Sequence, residues 1–310
     1  MINVGIVGYG NLGKAVEKEL INQTKYNLVG IFSRRKLNKN NAYLYKQAAD
    51  FENKIDIMIM CGGSEKDLPM QSKEMAKIFS IIDTFDTHQK IINHYQSINK
   101  ICNKNNKSAI VSCGWDPGLF SIIRVLYSNI FQSQECFYGK GVSMGHTNAL
   151  KRIKHVKNAL QYTIPNKKAI KLAKRGQSIN IPKHFRLCYV VANKNKKEIK
   201  SQIKSIPNYF QGEKTKIKFI GENKLTKKHS ALYHQGNIFS VYKNNKDKIS
   251  SNFSLKTTSN PLLTAKIIIT YLNALTFMIE NNINTALTPI QIPPIWLTGK
   301  TESESILNFC

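Results

Sequence analysis

Apolar positions along this chain follow two rhythms. Residues 2–7 form a short β-rich run that stops at Gly8, as a strand buried on both faces does. Leu12, Val16 and Leu20 then recur at helical spacing. The alternation continues, with apolar strand patterns at 27–32, 54–61, 80–82 and 108–112. Between them lie helical patterns just before Asp50, at 69–79 and at 91–102. Short buried strands alternating with amphipathic helices predict an α/β domain around a parallel sheet. Three successive strands end in polar tips, at 61–64, 83–88 and 113–118.

Past a predicted helix at 119–131 the pattern changes. Residues 137–146 are too glycine-rich for either regular element and read as a strand with a functional loop. A strongly basic helix is expected at 149–160, a strand at 185–192, a helix at 198–206 and a half-buried strand at 215–220. Residues 223–232 are polar; a strand at 237–242 has 253–257 as its hairpin partner across a hydrophilic turn region. This is an α+β pattern with mainly antiparallel pairing. The long apolar helix at 262–279 is expected to return to the first domain, and the proline-bearing tail at 283–310 to be extended. The expected division is therefore 1–118 plus 262–310 as one domain and 119–261 as the second.

The chain has 310 residues, enough for two domains, and its formal charge is +27, from 46 basic and 19 acidic residues. Such a surplus invites a nucleic-acid reading. The lysines, however, are scattered among asparagines instead of gathering on one element with aromatic platforms, so nucleic acid is not expected as the partner. The surplus would still draw in an anionic cofactor or a dicarboxylate. No run is expected to reach the length of a membrane span, and no charged-then-apolar leader opens the chain. The six cysteines contain no C-x-x-C pair and read as free thiols in a reducing cytoplasm, with no metal site.

The first strand leads directly into Gly8-Tyr9-Gly10-Asn11-Leu12-Gly13 and then a helix, which is the setting in which G-x-G-x-x-G binds a dinucleotide. Gly8 allows the tight turn, Gly10 lets a pyrophosphate approach the backbone, and Gly13 lets helix and strand pack closely. The helix N-terminus would face the phosphates. The N-terminal domain is thus of Rossmann type. Where a NAD site places an acidic residue, this chain has Ser33-Arg34-Arg35. A hydroxyl and two guanidinium groups suit the 2′-phosphate of NADP, which a carboxylate would repel.

The strand tips must name the reaction. Asp86 and Asp116 each lie just past the end of a predicted strand, where ligands of open α/β sheets bind. Two carboxylates beside a nicotinamide would hold an ammonium group and accept its proton before hydride leaves the adjacent carbon. The structural alternative for either Asp is a helix cap. Arg186 sits inside an apolar strand and needs an anion, either a substrate carboxylate or an inward Asp. His146 and His234 read more readily as satisfied structural histidines than as catalytic ones.

Taken together, these residues resemble meso-diaminopimelate dehydrogenases over nearly the whole chain. The resemblance rests on residues 7–13, on Val29-Gly30-Ile31-Phe32-Ser33-Arg34-Arg35 and on Asp83-Thr84-Phe85-Asp86. It continues through Gly114-Trp115-Asp116-Pro117-Gly118, Gly145-His146, Gln161-Tyr162-Thr163, Pro207-Asn208-Tyr209-Phe210 and Asn260-Pro261. It implies NADP-dependent oxidative deamination at the D-centre of meso-2,6-diaminopimelate, giving L-2-amino-6-oxopimelate and ammonia. Tyr9, Gly10, Asn11, Leu12, Ser33, Arg34, Arg35, Cys61, Gly62, Gly63 and Ser64 would line the cofactor. So would Thr84, Phe85, Asp86, Cys113, Gly114, Trp115, Asp116 and Pro117.

By the same resemblance Asp86 and Asp116 would meet the reacting centre. Thr163, Arg186, His234 and Asn260 would hold the distal carboxylate and amine, with Tyr138, Met144 and Gly145 in the pocket. The second domain would bind substrate and pair two copies into a homodimer. Some positions depart from the family: Tyr138 replaces Trp, Met144 stands where some members carry Gln, and His234-Gln235-Gly236 replaces His-Gly-Gly. A thioether cannot donate to a carboxylate as an amide does, so a broader D-amino acid range stays open. The competing readings are a related D-amino acid dehydrogenase or another Rossmann reductase, and a non-catalytic NADPH-binding sensor.

Overall fold

Six short strands precede residue 120: β1 (Ile2–Val7), β2 (Tyr26–Ser33), β3 (Ala42–Leu44), β4 (Ile57–Met60), β5 (Ser80–Asp83) and β6 (Ala109–Ile110). In the computed structural model, which describes residues 1–207, 209–229 and 231–310, they join the late strand Ala286–Leu287 in one sheet. Its order is Ala286–Leu287, β6, β5, β4, β1, β2, β3, and every pair is parallel. The connecting helices are α1 (Asn11–Leu20), α2 (Leu68–Met75) and α3 (Ile91–Asn105). Alternate residues of the strands feed two cores. Val4, Ile6, Ile57 and Ile59 pack with Val16 and Leu20 of α1. Val7, Met58, Met60 and Ile81 pack with Leu68 of α2 and Ile98 of α3. Each such side chain, fully buried, contributes about 1.5–3 kcal/mol. Burial on both faces is why these strands read as unbroken apolar runs.

The chain then runs through α4 (Leu119–Tyr127) into β7 (Ser133–Tyr138), β8 (Gly141–Val142), α5 (Met144–Lys151), β9 (Asn158–Pro165) and α6 (Lys167–Ala173). It continues through β10 (His184–Val191), α7 (Lys196–Ser205), β11 (Thr215–Phe219), α8 (Glu222–His229), β12 (His234–Lys243) and β13 (Lys248–Thr257). These strands form a four-stranded sheet, β11-β10-β9-β8, and a three-stranded one, β13-β12-β7. Among the described residues, all pairings are antiparallel except β10 with β11. Helices α9 (Asn260–Glu280) and α10 (Glu302–Phe309) follow. The chain divides into two units, Met1–Ile122 with Pro261–Cys310, and Ile123–Asn260.

Several sequence expectations change. Residues 149–160 are not one helix: α5 stops at Lys151 and β9 begins at Asn158. The lysines at 151, 154 and 157 mimic a solvated helix face, but β9 is a central strand whose residues 159–163 are all buried. Residues 137–146 divide among the end of β7, all of β8 and the start of α5. The polar stretch after Gly221 is helical as α8, and the strand at 108–112 shortens to β6. The tail is not extended. It turns at Pro289–Gln291 and Pro294–Leu297 and ends in α10, whose cap Thr301 accepts the Glu304 N–H at 3.3 Å. The prolines open these turns, where a missing N–H costs nothing. Contrary to expectation, α9 is long and apolar enough to cross a membrane by composition, with half of it buried. Ala265, Ile268, Leu272 and Leu275 pack into the first core, which calls for a helix apolar on most sides.

Candidate active site

Because the sheet of the first unit is all parallel, its carboxyl-end tips share one edge, in the order β6, β5, β4, β1, β2. The β1 tip is the glycine loop. Gly8 has φ +93°, and a Cβ on Gly13 would fall 2.1 Å from the Gly8 carbonyl oxygen. Only glycine lets α1 start this close to β1. Beyond Gly10, which precedes α1, a Cβ would meet nothing within 4 Å. Among the described residues, no side chain caps α1 and no acidic residue sits in its first turn. Its N–H groups and dipole face open space, a cradle that fits the pyrophosphate of NADP. Asn11 and Leu12 open the helix. Tyr9 is clamped: its hydroxyl donates to Glu17 at 2.5 Å and accepts from Lys39 Nζ at 2.9 Å, and Lys39 also pairs with Glu17.

At the β2 tip Ser33 is buried, and its Oγ accepts the Arg35 N–H at 3.2 Å, while the Arg35 side chain is exposed. Arg34 Nη1 lies 3.0 Å from Asp67 Oδ1, and Asp67 Oδ2 accepts the Gly63 N–H at 2.9 Å. Asp67 thus ties the β2 tip to the β4 tip, a role that nothing in the local sequence pattern announces. Cys61 is buried beside Gly62, and burial pushes its thiol up to about 12, so it is a neutral wall. Ser64 Oγ accepts the Asp86 N–H at 2.8 Å and lies 3.3 Å from Thr87 Oγ1, which joins the β4 and β5 tips.

The β5 tip carries Thr84, buried Phe85 and Asp86, whose side chain reaches solvent. Crowding by its surroundings still raises the Asp86 carboxyl, against the opposing pull of Ser64 and His88. On the neighbouring β6 tip, Cys113 is fully buried, and Gly114 donates its N–H to the Pro117 carbonyl at 2.9 Å. This closes a loop around half-buried Asp116, and the Trp115 and Phe120 rings pack T-shaped with centroids 5.1 Å apart. Asp83, the last residue of β5, is completely buried, although the sequence pattern drew attention only to Asp86 three residues later. An acid closing an apolar strand was the available signal.

The second unit assembles its own cluster. Thr163 and Arg186 face each other across β9 and β10, and Arg186 Nη1 donates to Thr163 Oγ1 at 3.0 Å. The acidic neighbour of Arg186 is Glu213, 3.7 Å from Nε, and not an Asp. Burial pulls the guanidinium pKa down. Gly141 of β8 pairs with Thr163, and a Cβ there would fall 2.7 Å from His234 Cγ, so glycine admits the imidazole. His234 is the first residue of β12, where burial pulls its pKa down to about 4. Tyr138 ends β7; its N–H donates to His184 Nε2 at 2.8 Å and its ring stacks on His184 at 5.7 Å. Met144 and Gly145 open α5, and the Asn260 N–H donates to the Leu232 carbonyl at 2.9 Å. His146 shares a hydrogen bond with Ser143 Oγ at 2.8 Å; burial and then the Arg186 charge hold its pKa at about 3. Asn208 of the family-like stretch lies outside the described residues. A hydroxyl, a guanidinium and neutral imidazoles make a donor set for a carboxylate. The two aspartates of the first unit are acceptors for an amine.

Residues 114–259 match the family model for the diaminopimelic acid dehydrogenase C-terminal domain. The chain is 39% identical to the meso-diaminopimelate D-dehydrogenase of Acetivibrio thermocellus, over 98% of this chain and 96% of that one. With that of Corynebacterium glutamicum the identity is 35%, over 98% of both. Among solved structures, the C. glutamicum DAP dehydrogenase in complex with DAP superimposes with a TM-score of 0.94 at 33% identity, covering 100% of this chain and 99% of that one. An engineered D-amino acid dehydrogenase bound to NADP+ does so with a TM-score of 0.94 at 32% identity, with the same coverage.

Proposed function

The chain belongs to the meso-diaminopimelate dehydrogenase family, and from that premise we propose how its own residues divide the reaction. It is an NADP-dependent oxidoreductase acting on a CH–NH2 group, in lysine biosynthesis. meso-2,6-Diaminopimelate, NADP+ and water give L-2-amino-6-oxopimelate, ammonia, NADPH and a proton. The cofactor, when bound, supplies the two-electron hydride acceptor. The glycine loop would hold its pyrophosphate, and Ser33, Arg34 and Arg35 at the β2 tip would hold the 2′-phosphate. Asp86 and Asp116 grip the ammonium of the D-centre, and one of them takes its proton, leaving a lone pair on nitrogen as hydride departs from carbon. Thr163, Arg186, His234 and Asn260 hold the distal carboxylate and amine, with Tyr138, Met144 and Gly145 shaping the pocket. The residues up to 118 with those from 262 carry the cofactor, and 119–261 carry substrate and the dimer contact.

The observation that supports this reading best is the strand order. It sets the tips bearing Asp86 and Asp116 side by side, two and three strands from the glycine loop. Pairing of two copies through the second unit is supported by its exposed Val125, Leu126, Ile130 and Ile249; light scattering on a size-exclusion column reports it directly. A cytoplasmic site of action is supported by cysteines that are all free. The test of the reaction is reduction of NADP by the purified protein with meso-diaminopimelate at alkaline pH. NAD and the L,L isomer serve as controls. Reduction with NADP and the meso isomer alone is the expected result. Tight NADPH binding with no turnover would favour a sensor instead.

A further inference from the structure

We propose that Asp83 is a positioning residue for this reaction, its buried carboxylate tying the tip that carries Asp86 to the tip that carries Asp116. The pairing of β5 with β6 ends at Ile82 and Ile110. Beyond it, Asp83 takes over. Its Oδ1 accepts the Phe85 N–H at 3.1 Å on its own tip and the Ser112 N–H at 2.9 Å on the next. Its Oδ2 accepts Ser72 Oγ–H at 2.9 Å and meets His94 Nε2 at 2.7 Å, while its carbonyl accepts the Cys113 N–H at 2.8 Å. Ser112 is held at φ +61°, a backbone turn that needs such an anchor. The His94 ring stacks on Phe85 at 4.1 Å and 18°, so α3 braces the same tip. An unpaired buried charge would be costly. Here the donors come from the two segments leading to Asp86 and Asp116, from α3, which braces the first of them, and from α2.

The proposal rests on the roles given above to Asp86 and Asp116. Its test compares two substitutions of the brace in the full-length enzyme. His94→Phe keeps a ring on Phe85 and deletes the donor to Asp83; His94→Gln keeps a donor and deletes the ring. Steady-state kinetics at saturating NADP, NADPH fluorescence titration and thermal melts are read on each. A misplaced tip should lower kcat in His94→Phe by about 10- to 100-fold. KM for diaminopimelate and NADPH affinity should stay near the parent values, and His94→Gln should recover most of the kcat. A parent-like kcat in His94→Phe, or a larger loss in His94→Gln, would mean ring packing alone and overturns the proposal. Asp83→Asn, nearly equal in volume, is the second arm: a reduced kcat is expected, and a parent-like kcat also overturns it. Asp86→Asn separates the two levels. If it turns over like the parent, the role of Asp86 falls, while the His94 pair still decides the link through Asp116.

Discussion

Asp86 meets demands that pull against each other. In the proposed role it must be ionised to hold an ammonium group, yet its surroundings desolvate it and raise its pKa, while Ser64 and His88 pull it back. Because the side chain reaches solvent, screening limits the size of that shift. A carboxyl with a folded pKa above its unfolded value favours the fold when protonated, and that contribution is lost as pH rises through the folded pKa. Asp86→Asn is therefore expected to lower kcat by about 10²- to 10⁴-fold while leaving the melting temperature at pH 8 unchanged or higher. A fall in both would show that the carboxylate supports the fold. The acid limb of kcat/KM should lie above the ordinary aspartate range for the same reason. At the proposed 2′-phosphate site, Arg35→Ala would remove a charge-assisted bond worth about 1.5–3 kcal/mol, or roughly 10- to 150-fold in NADP affinity. NAD affinity should not move; equal losses for both cofactors would count against the 2′-phosphate assignment.

Elements were legible where one signal dominated. β1, α1, β2, β4 and β5 could be read because burial on both faces makes a strand uniformly apolar and a helix start needs particular residues. β9 could not: it is as buried as the others, but the lysines leading into it imitate a helix period, and the sheet alone made it central. The tail misled for the opposite reason. Its prolines forbid regular helix locally, yet they open short turns, and Thr301 with Glu304 restarts a helix. Gly13→Ala places a methyl 2.1 Å from the Gly8 carbonyl oxygen, so α1 must shift away from β1 at a cost of about 1–3 kcal/mol. The expected result is a lower melting temperature together with weaker NADPH binding. Unchanged binding would mean that the cradle does not depend on that close approach.

Across the whole molecule, acid sensitivity should concentrate in the second unit. Burial holds His234 and His184 at about 4 and His146 at about 3, against an ordinary value of 6.5. A histidine with a lowered folded pKa contributes stability that is present above pH 6.5 and lost as pH falls from there toward 4. Calorimetry at pH 7 and pH 5 should show this unit losing stability first, and hydrogen exchange should map the loss to β7, β10, α5 and β12. A uniform loss over both units would contradict the assignment.

The sequence by itself pointed to the glycine turn ahead of α1, the choice of NADP, the alternation that builds a parallel sheet and the place of Asp86 and Asp116 just past two strands. These depend on local chemistry: glycines that only one backbone path permits, a phosphate that repels acids, and strand ends that punctuate apolar runs. Tertiary structure alone decided which tips are neighbours and that Asp67 and Asp83 stitch them together. It also decided that Arg186 answers to Thr163 and Glu213. Those pairings join residues up to 33 positions apart across strand order (Arg34 with Asp67, for one). A charge inside an apolar run says only that it must find a partner, and strand pairing chooses which.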